Sequence, residues 1–132
     1  ELDEDDTEFL QLNASIHRRA GRLEEAEIFY ERMAERGYSE ADLYIDWAEL
    51  LFDMCEFDNG MQVLYEGIAL NPESADMHYR LSGYLYTMQE FDEATIYFKK
   101  ALVLNAEKRI LFFELFPQLK QNRTLQNLVA NL

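Results

Sequence analysis

The feature that most constrains this chain is its similarity to itself. The stretch "EFDEATIYFKKAL" at 90–102 has a counterpart 34 residues upstream, "EFDNGMQVLYEGI", and another 34 further back, "RLEEAEIFYERMA". Ala14, Ala48 and Ser82 are one register apart, as are His17, Leu51 and Leu85, then Ala26, Gly60 and Ala94, then Tyr30, Leu64 and Phe98. With few exceptions small residues meet small ones and large apolar residues meet large ones. A recurring segment of this length is a supersecondary unit that cannot bury its apolar face alone, so its copies must stack. Three units follow, at 7–40, 41–74 and 75–108, preceded by an acidic segment at 1–6.

Within each unit apolar residues recur at helical spacing, and no alternating run of strand character is present. Two prolines and five glycines leave long stretches free of helix breakers, and 48% apolar with 14% aromatic residues is ample for a packed core. The pattern predicts an all-α protein with helices at 7–19, 24–36, 41–53, 58–70, 75–87 and 92–104. Ser39 and Ser74 are expected to cap the first helices of their units, and Asp58 and Asp92 the second helices. Pro72 closes the second helix of the middle unit. Asn59-Gly60 would signal a hairpin between strands, but the register places it in the first turn of a helix. The acceptor-like triplets at Asn13 and Asn122 are too short a pattern to carry a reading of glycosylation.

Taken together, these residues resemble the tetratricopeptide-repeat (TPR) family, whose unit is a 34-residue helix–turn–helix. The likeness rests on Leu81, Ser82, Ala94, Phe98 and Ala101 in the third unit. The second unit adds Tyr44, Trp47, Ala48, Leu64 and Pro72, and the first Ala14, Ala26 and Tyr30. Gly60 and Gly67 stand where alanine is usual, Met33 replaces an alanine and Asn13 a leucine. The resemblance implies a right-handed α-solenoid of antiparallel helix pairs, a TPR superhelix, with Trp47, Tyr30, Leu64, Leu81 and Phe98 buried between helices. Residues 109–132 fit the register less well and read as a degenerate or truncated fourth repeat or a capping helix pair. Pro117 is expected to bend its first helix. Leu125, Leu128, Val129 and Leu132 form one apolar stripe, expected to pack back on Ile110, Leu111 and Leu115 while leaving some apolar surface exposed.

Composition narrows the partners. The net charge is −14, and residues 41–74 hold eight carboxylates and no basic side chain, a field that repels phosphate backbones and anionic lipid. Nucleic acid is therefore not an expected partner, and no apolar run approaches the roughly 20 residues of a membrane span. One cysteine, Cys55, allows no internal disulfide, and no basic-then-apolar leader is visible; both fit a cytoplasmic location. No nucleophile–base pair, phosphate loop or metal-ligand cluster is visible, and His17 and His78 occupy different positions of the repeat. The chain reads as a non-enzymatic protein with neither cofactor nor metal.

By resemblance, the first helix of each repeat lines a concave groove for a peptide or partner segment. Carried onto this chain, the groove comprises Gln11, Arg18, Arg19, Asp42, Ile45, Glu49, Phe52, Asp53, Asp76, Tyr79 and Tyr86. One subclass clamps acidic chaperone tails, and its positions fall here on Gln11, Ser15, Asp46, Asp76 and Arg80. Only Arg80 survives and two positions have the wrong charge, so an acidic ligand would meet two carboxylates. The expected ligand is a basic, partly apolar protein segment. The alternative is a structural module that packs against neighbouring domains or against a copy of itself, as a homodimer through 109–132.

Overall fold

The fold is that of a computed structural model, which describes residues 6–132; the acidic segment 1–6 lies outside the described residues except for Asp6. Among them every regular element is helical: α1 (Thr7–Arg19), α2 (Leu23–Glu35), α3 (Ala41–Asp53), α4 (Phe57–Leu70), α5 (Ala75–Thr87), α6 (Phe91–Leu104), α7 (Arg109–Leu115) and α8 (Arg123–Ala130). Short 3-10 turns occupy Ala106–Lys108 and Pro117–Leu119. Two compact units divide the chain, one ending at Asn71 and the other beginning at Pro72.

The turn inside each helix pair explains why α2, α4 and α6 each begin one residue before the expected start. At the end of α3 the Cys55 N–H bonds the Phe52 carbonyl and the Glu56 N–H reaches back to Leu51, with Cys55 at φ 61°. Gly21 and Gln89 close α1 and α5 with the same pair of bonds, at φ 80° and 66°. This is the left-handed helix stop usually given to glycine. The next residue, Arg22, Glu56 or Glu90, then serves directly as the N-cap of the following helix without a side-chain bond. Asp58 and Asp92 are accordingly not caps. They lie within the first turn, where their charge still favours the helix N-terminus. Ser74 does cap α5, accepting from the Met77 N–H, whereas Glu40 takes the cap position of α3 and the Ser39 carbonyl accepts from the Asn71 side chain instead.

In the first unit, Leu10, Ala14, Ala26, Met33, Leu43, Ala48, Leu51 and Leu64 are buried. Small residues at helix crossings allow the backbones to approach. Tyr30 is buried as expected, but Trp47 is only half-buried. Its indole N–H requires a partner and donates to Glu27 Oε2 at 3.1 Å, and this bond holds the ring at the edge of the core against Tyr44.

In the second unit Met77, Leu81, Leu85, Phe98, Phe112 and Leu125 form the core, and the buried Ser82 hydroxyl donates to the Ala94 carbonyl at 2.7 Å. Pro117 ends α7 rather than bending it. The residue before a proline is driven from helical space, and Phe116 sits at φ −125°. The following turn leads to Asn122, which caps α8, and α8 packs on α6 with Leu125 fully buried. The apolar stripe therefore does not cover Ile110, Leu111 and Leu115, which stay 62%, 47% and 42% exposed.

Candidate functional site

In the first unit α1 and α3 supply the candidate side chains and α2 the floor between them. Gln11, Ser15, Arg18 and Arg19 of α1 face Asp42 and Asp46 of α3 across a cleft of about 500 Å³, above Tyr30, Met33 and Leu43. Spacings of three and four residues put each set on one helix face.

The rim is bonded to itself. Gln11 Nε2 donates to the Tyr38 hydroxyl at 3.3 Å, and that hydroxyl donates to Asp42 Oδ1 at 3.1 Å. Arg18 bridges from α1 to α3, reaching Glu49 Oε1 at 2.6 Å and Asp53 Oδ2 at 3.2 Å. Burial lowers the Arg18 pKa, but the Glu49 carboxylate, hydrogen-bonded to it, and then Asp53 outweigh burial and raise it overall. Two of the carboxylates expected to await a ligand thus share an internal cation, and the trio retains one net negative charge. At the floor, burial first and the charge of Asp46 second raise the Tyr30 pKa. Ile45 is half-buried, and Phe52 leans over Gly60, whose missing Cβ would stand 2.9 Å from the ring.

The second unit treats its candidates differently. Asp76 pairs with Lys108 at 2.8 Å, and with Arg80, Leu111 and Leu115 it borders a narrow groove. Tyr79 and Tyr86 are core residues, 4% and 6% exposed, rather than surface anchors. Tyr79 lies against Phe98 and Phe112 and donates its hydroxyl to the Asn105 carbonyl at 2.7 Å. The Tyr86 hydroxyl meets Thr95 Oγ1 at 2.6 Å. Both are buried because α7 and the start of α6 supply aromatic partners that a period count does not reveal.

Tyr38, Tyr30 and Met33 were not among the sequence-derived site residues. A signal existed for Tyr38, which occupies the register position held by Pro72 in the next repeat. The histidines are engaged in packing: His17 stacks on Phe29 and accepts from Arg22, and buried His78 lies 2.7 Å from the Ser74 carbonyl. Among the described residues no group of His, Cys, Asp or Glu is arranged to hold a metal, and no helix is long and apolar enough to cross a membrane.

The sequence matches no family model, and no curated protein matches it. Solved structures do match. MamA superimposes with a TM-score of 0.74 at 19% identity, over 98% of this chain and 75% of that one. The first TPR of Spaghetti (RPAP3), bound to the HSP90 peptide SRMEEVD, gives 0.67 at 18% identity over 98% and 92%. The TPR2B domain of yeast Sti1, in a complex with pHsp70, gives 0.68 at 17% over 94% and 93%. The fold of this chain is therefore of the tetratricopeptide-repeat type, an all-α solenoid fold built from antiparallel helix pairs.

Proposed function

We propose that this chain is a non-enzymatic interaction scaffold that holds a cationic, partly apolar segment of a partner protein in the cleft between α1, α2 and α3. The observation that carries the reading is the cleft itself, formed by first-helix residues in a fold whose solved relatives include a TPR holding an HSP90 peptide and a TPR in a Hsp70 complex. The sign of the ligand is argued from charge. Asp46 and Asp76 stand where the acidic-tail clamp needs neutral or basic residues, and residues 1–71 carry 19 acidic against five basic side chains. Asp42 and Asp46 are the carboxylates that a lysine or arginine would address, with Glu49 and Asp53 beyond them. Ile45 and Phe52 offer partly exposed apolar contacts, and Gln11 and Arg19 complete the polar rim. Asp76 and Arg80 would engage a longer segment separately. A field of this sign disfavours nucleic acid.

The test is fluorescence anisotropy with labelled peptides matched in length and apolar content but differing in charge. The basic set should bind best and weaken as salt rises. Asp42→Asn/Asp46→Asn should weaken it further, and Arg18→Gln, which removes the cation shared by Glu49 and Asp53, should strengthen it. A preference for acidic peptides, or indifference to both charge and salt, contradicts the reading.

A second reading, pairing of two copies through residues 109–132, is favoured by the exposed Ile110, Leu111 and Leu115. Sedimentation of Leu111→Ser/Leu115→Ser beside the parent chain tests it; no loss of mass rejects it.

A further inference from the structure

All of the net charge resides in one of the two units. Residues 72–132 contain seven acidic and seven basic side chains, so the −14 belongs entirely to residues 1–71. Within the neutral unit, one outward face of α6 is basic and apolar. Pro72, His78, Lys99, Lys100, Val103 and Leu104 line a shallow depression of about 340 Å³ with no acidic side chain among them. Val103 is 87% exposed. Lys100 lies over the Tyr97 ring, and neither lysine has an ion pair among the described residues. Asp92 and Glu93 stand on the same helical face nearly two turns before Lys99 and Lys100, outside the depression itself.

The complementary surface is present in the other unit. Glu24, Ile28, Glu31 and Glu35 fall at i, i+4, i+7 and i+11 of α2, a single stripe, and all four are exposed. Of the cations beside this stripe, Arg32 lies over the Phe29 ring and Arg36 follows Glu35. Burial first, and then the charges of neighbouring Glu27 and Glu35, raise the Glu31 pKa, so that repulsion among these carboxylates adds to the cost of burial. A cation from outside relieves that repulsion.

We propose that two copies of this chain associate head to tail, Ile28 of one copy entering the depression beside Val103 of the other while Glu31 and Glu35 meet Lys99 and Lys100. Each side presents an apolar residue flanked by one sign of charge, and the signs are opposite. The two surfaces differ, so the contact is heterologous and each copy retains a free one of each kind. None of the residues lining this depression belongs to the cleft proposed for peptide binding or to residues 109–132, although Lys99 also borders Asn122 and Thr124.

The test is sedimentation equilibrium of the full chain at fixed ionic strength, with Glu31→Lys/Glu35→Lys and Lys99→Glu/Lys100→Glu made separately and then mixed. All substitutions are on exposed positions, and far-ultraviolet circular dichroism checks that helix content is unchanged. The parent chain should associate, each variant alone should associate at least about tenfold more weakly, and the equimolar mixture should recover. The first variant is decisive because it lowers the net negative charge: non-specific association would strengthen, whereas the proposed contact weakens. A monomeric parent chain, a variant that associates as the parent does, or a mixture that fails to recover overturns the proposal.

Discussion

Phe116 lies directly on Gly83, so closely that the backbone of α5 has no room there for a Cβ. The same ring meets Tyr84 edge-on at 5.3 Å and Phe112 at 5.4 Å, which fixes it in place. Gly83→Ala therefore sets a helix-propensity gain of about 1 kcal/mol against overpacking that costs about 1–3 kcal/mol. Net destabilisation is expected in urea unfolding. In a Phe116→Leu background the alanine should cost less, and equal costs in both backgrounds would show that the two residues are not coupled.

The left-handed turns yield a prediction with no packing component. Cys55 and Gln89 hold φ angles of 61° and 66°, and at the equivalent Gly21 a Cβ would meet nothing within 4 Å. Cys55→Gly and Gln89→Gly should each stabilise the protein by up to about 1 kcal/mol, through relief of backbone strain, and Gly21→Ala should cost a similar amount. Urea midpoints measure all three. A loss of stability on either glycine substitution would show that these side chains make contributions outweighing the strain.

Tyr79 links the second unit to pH. Burial pushes its pKa from 10.0 up to about 12, because the anion is disfavoured beside Phe98 and Phe112. A tyrosine is neutral when protonated, so its folded-state pKa lies above the unfolded value. Its contribution is complete below pH 10 and is lost as pH rises towards 12, by roughly 2–3 kcal/mol. Tyr79→Phe should start lower, by about 1 kcal/mol for the hydroxyl bond to Asn105, and should fall less steeply across this window. Parallel curves from chemical denaturation at stepped pH would contradict the assignment.

What the sequence made legible was whatever repeats. The period located α1, α3 and α5 to the residue, and it identified the small residues at 14, 26, 48, 60, 82 and 94 that lie buried at the helix crossings. Register gives the face of a helix, however, and not which side chains reach across a turn. Arg18 and Glu49 are 31 residues apart, and nothing in either segment signals that one arginine takes two carboxylates from the expected groove. The burial of Tyr79 and Tyr86 was hidden for a related reason, since it depends on the non-repeating Phe112 and on Phe91 beside the turn. At residues 109–132 a local rule overrode the period: Pro117 acted on Phe116 and stopped the helix after seven residues.

Whether the cleft of α1, α2 and α3 receives a cationic segment is read most directly from backbone amide shifts measured by NMR during titration with a basic, apolar peptide. Saturable shifts are expected to concentrate at Gln11, Ser15, Arg19, Leu43 and Asp46, and to be suppressed in Asp42→Asn/Asp46→Asn. Saturable shifts confined to residues outside this cleft, or unchanged in that variant, would contradict it.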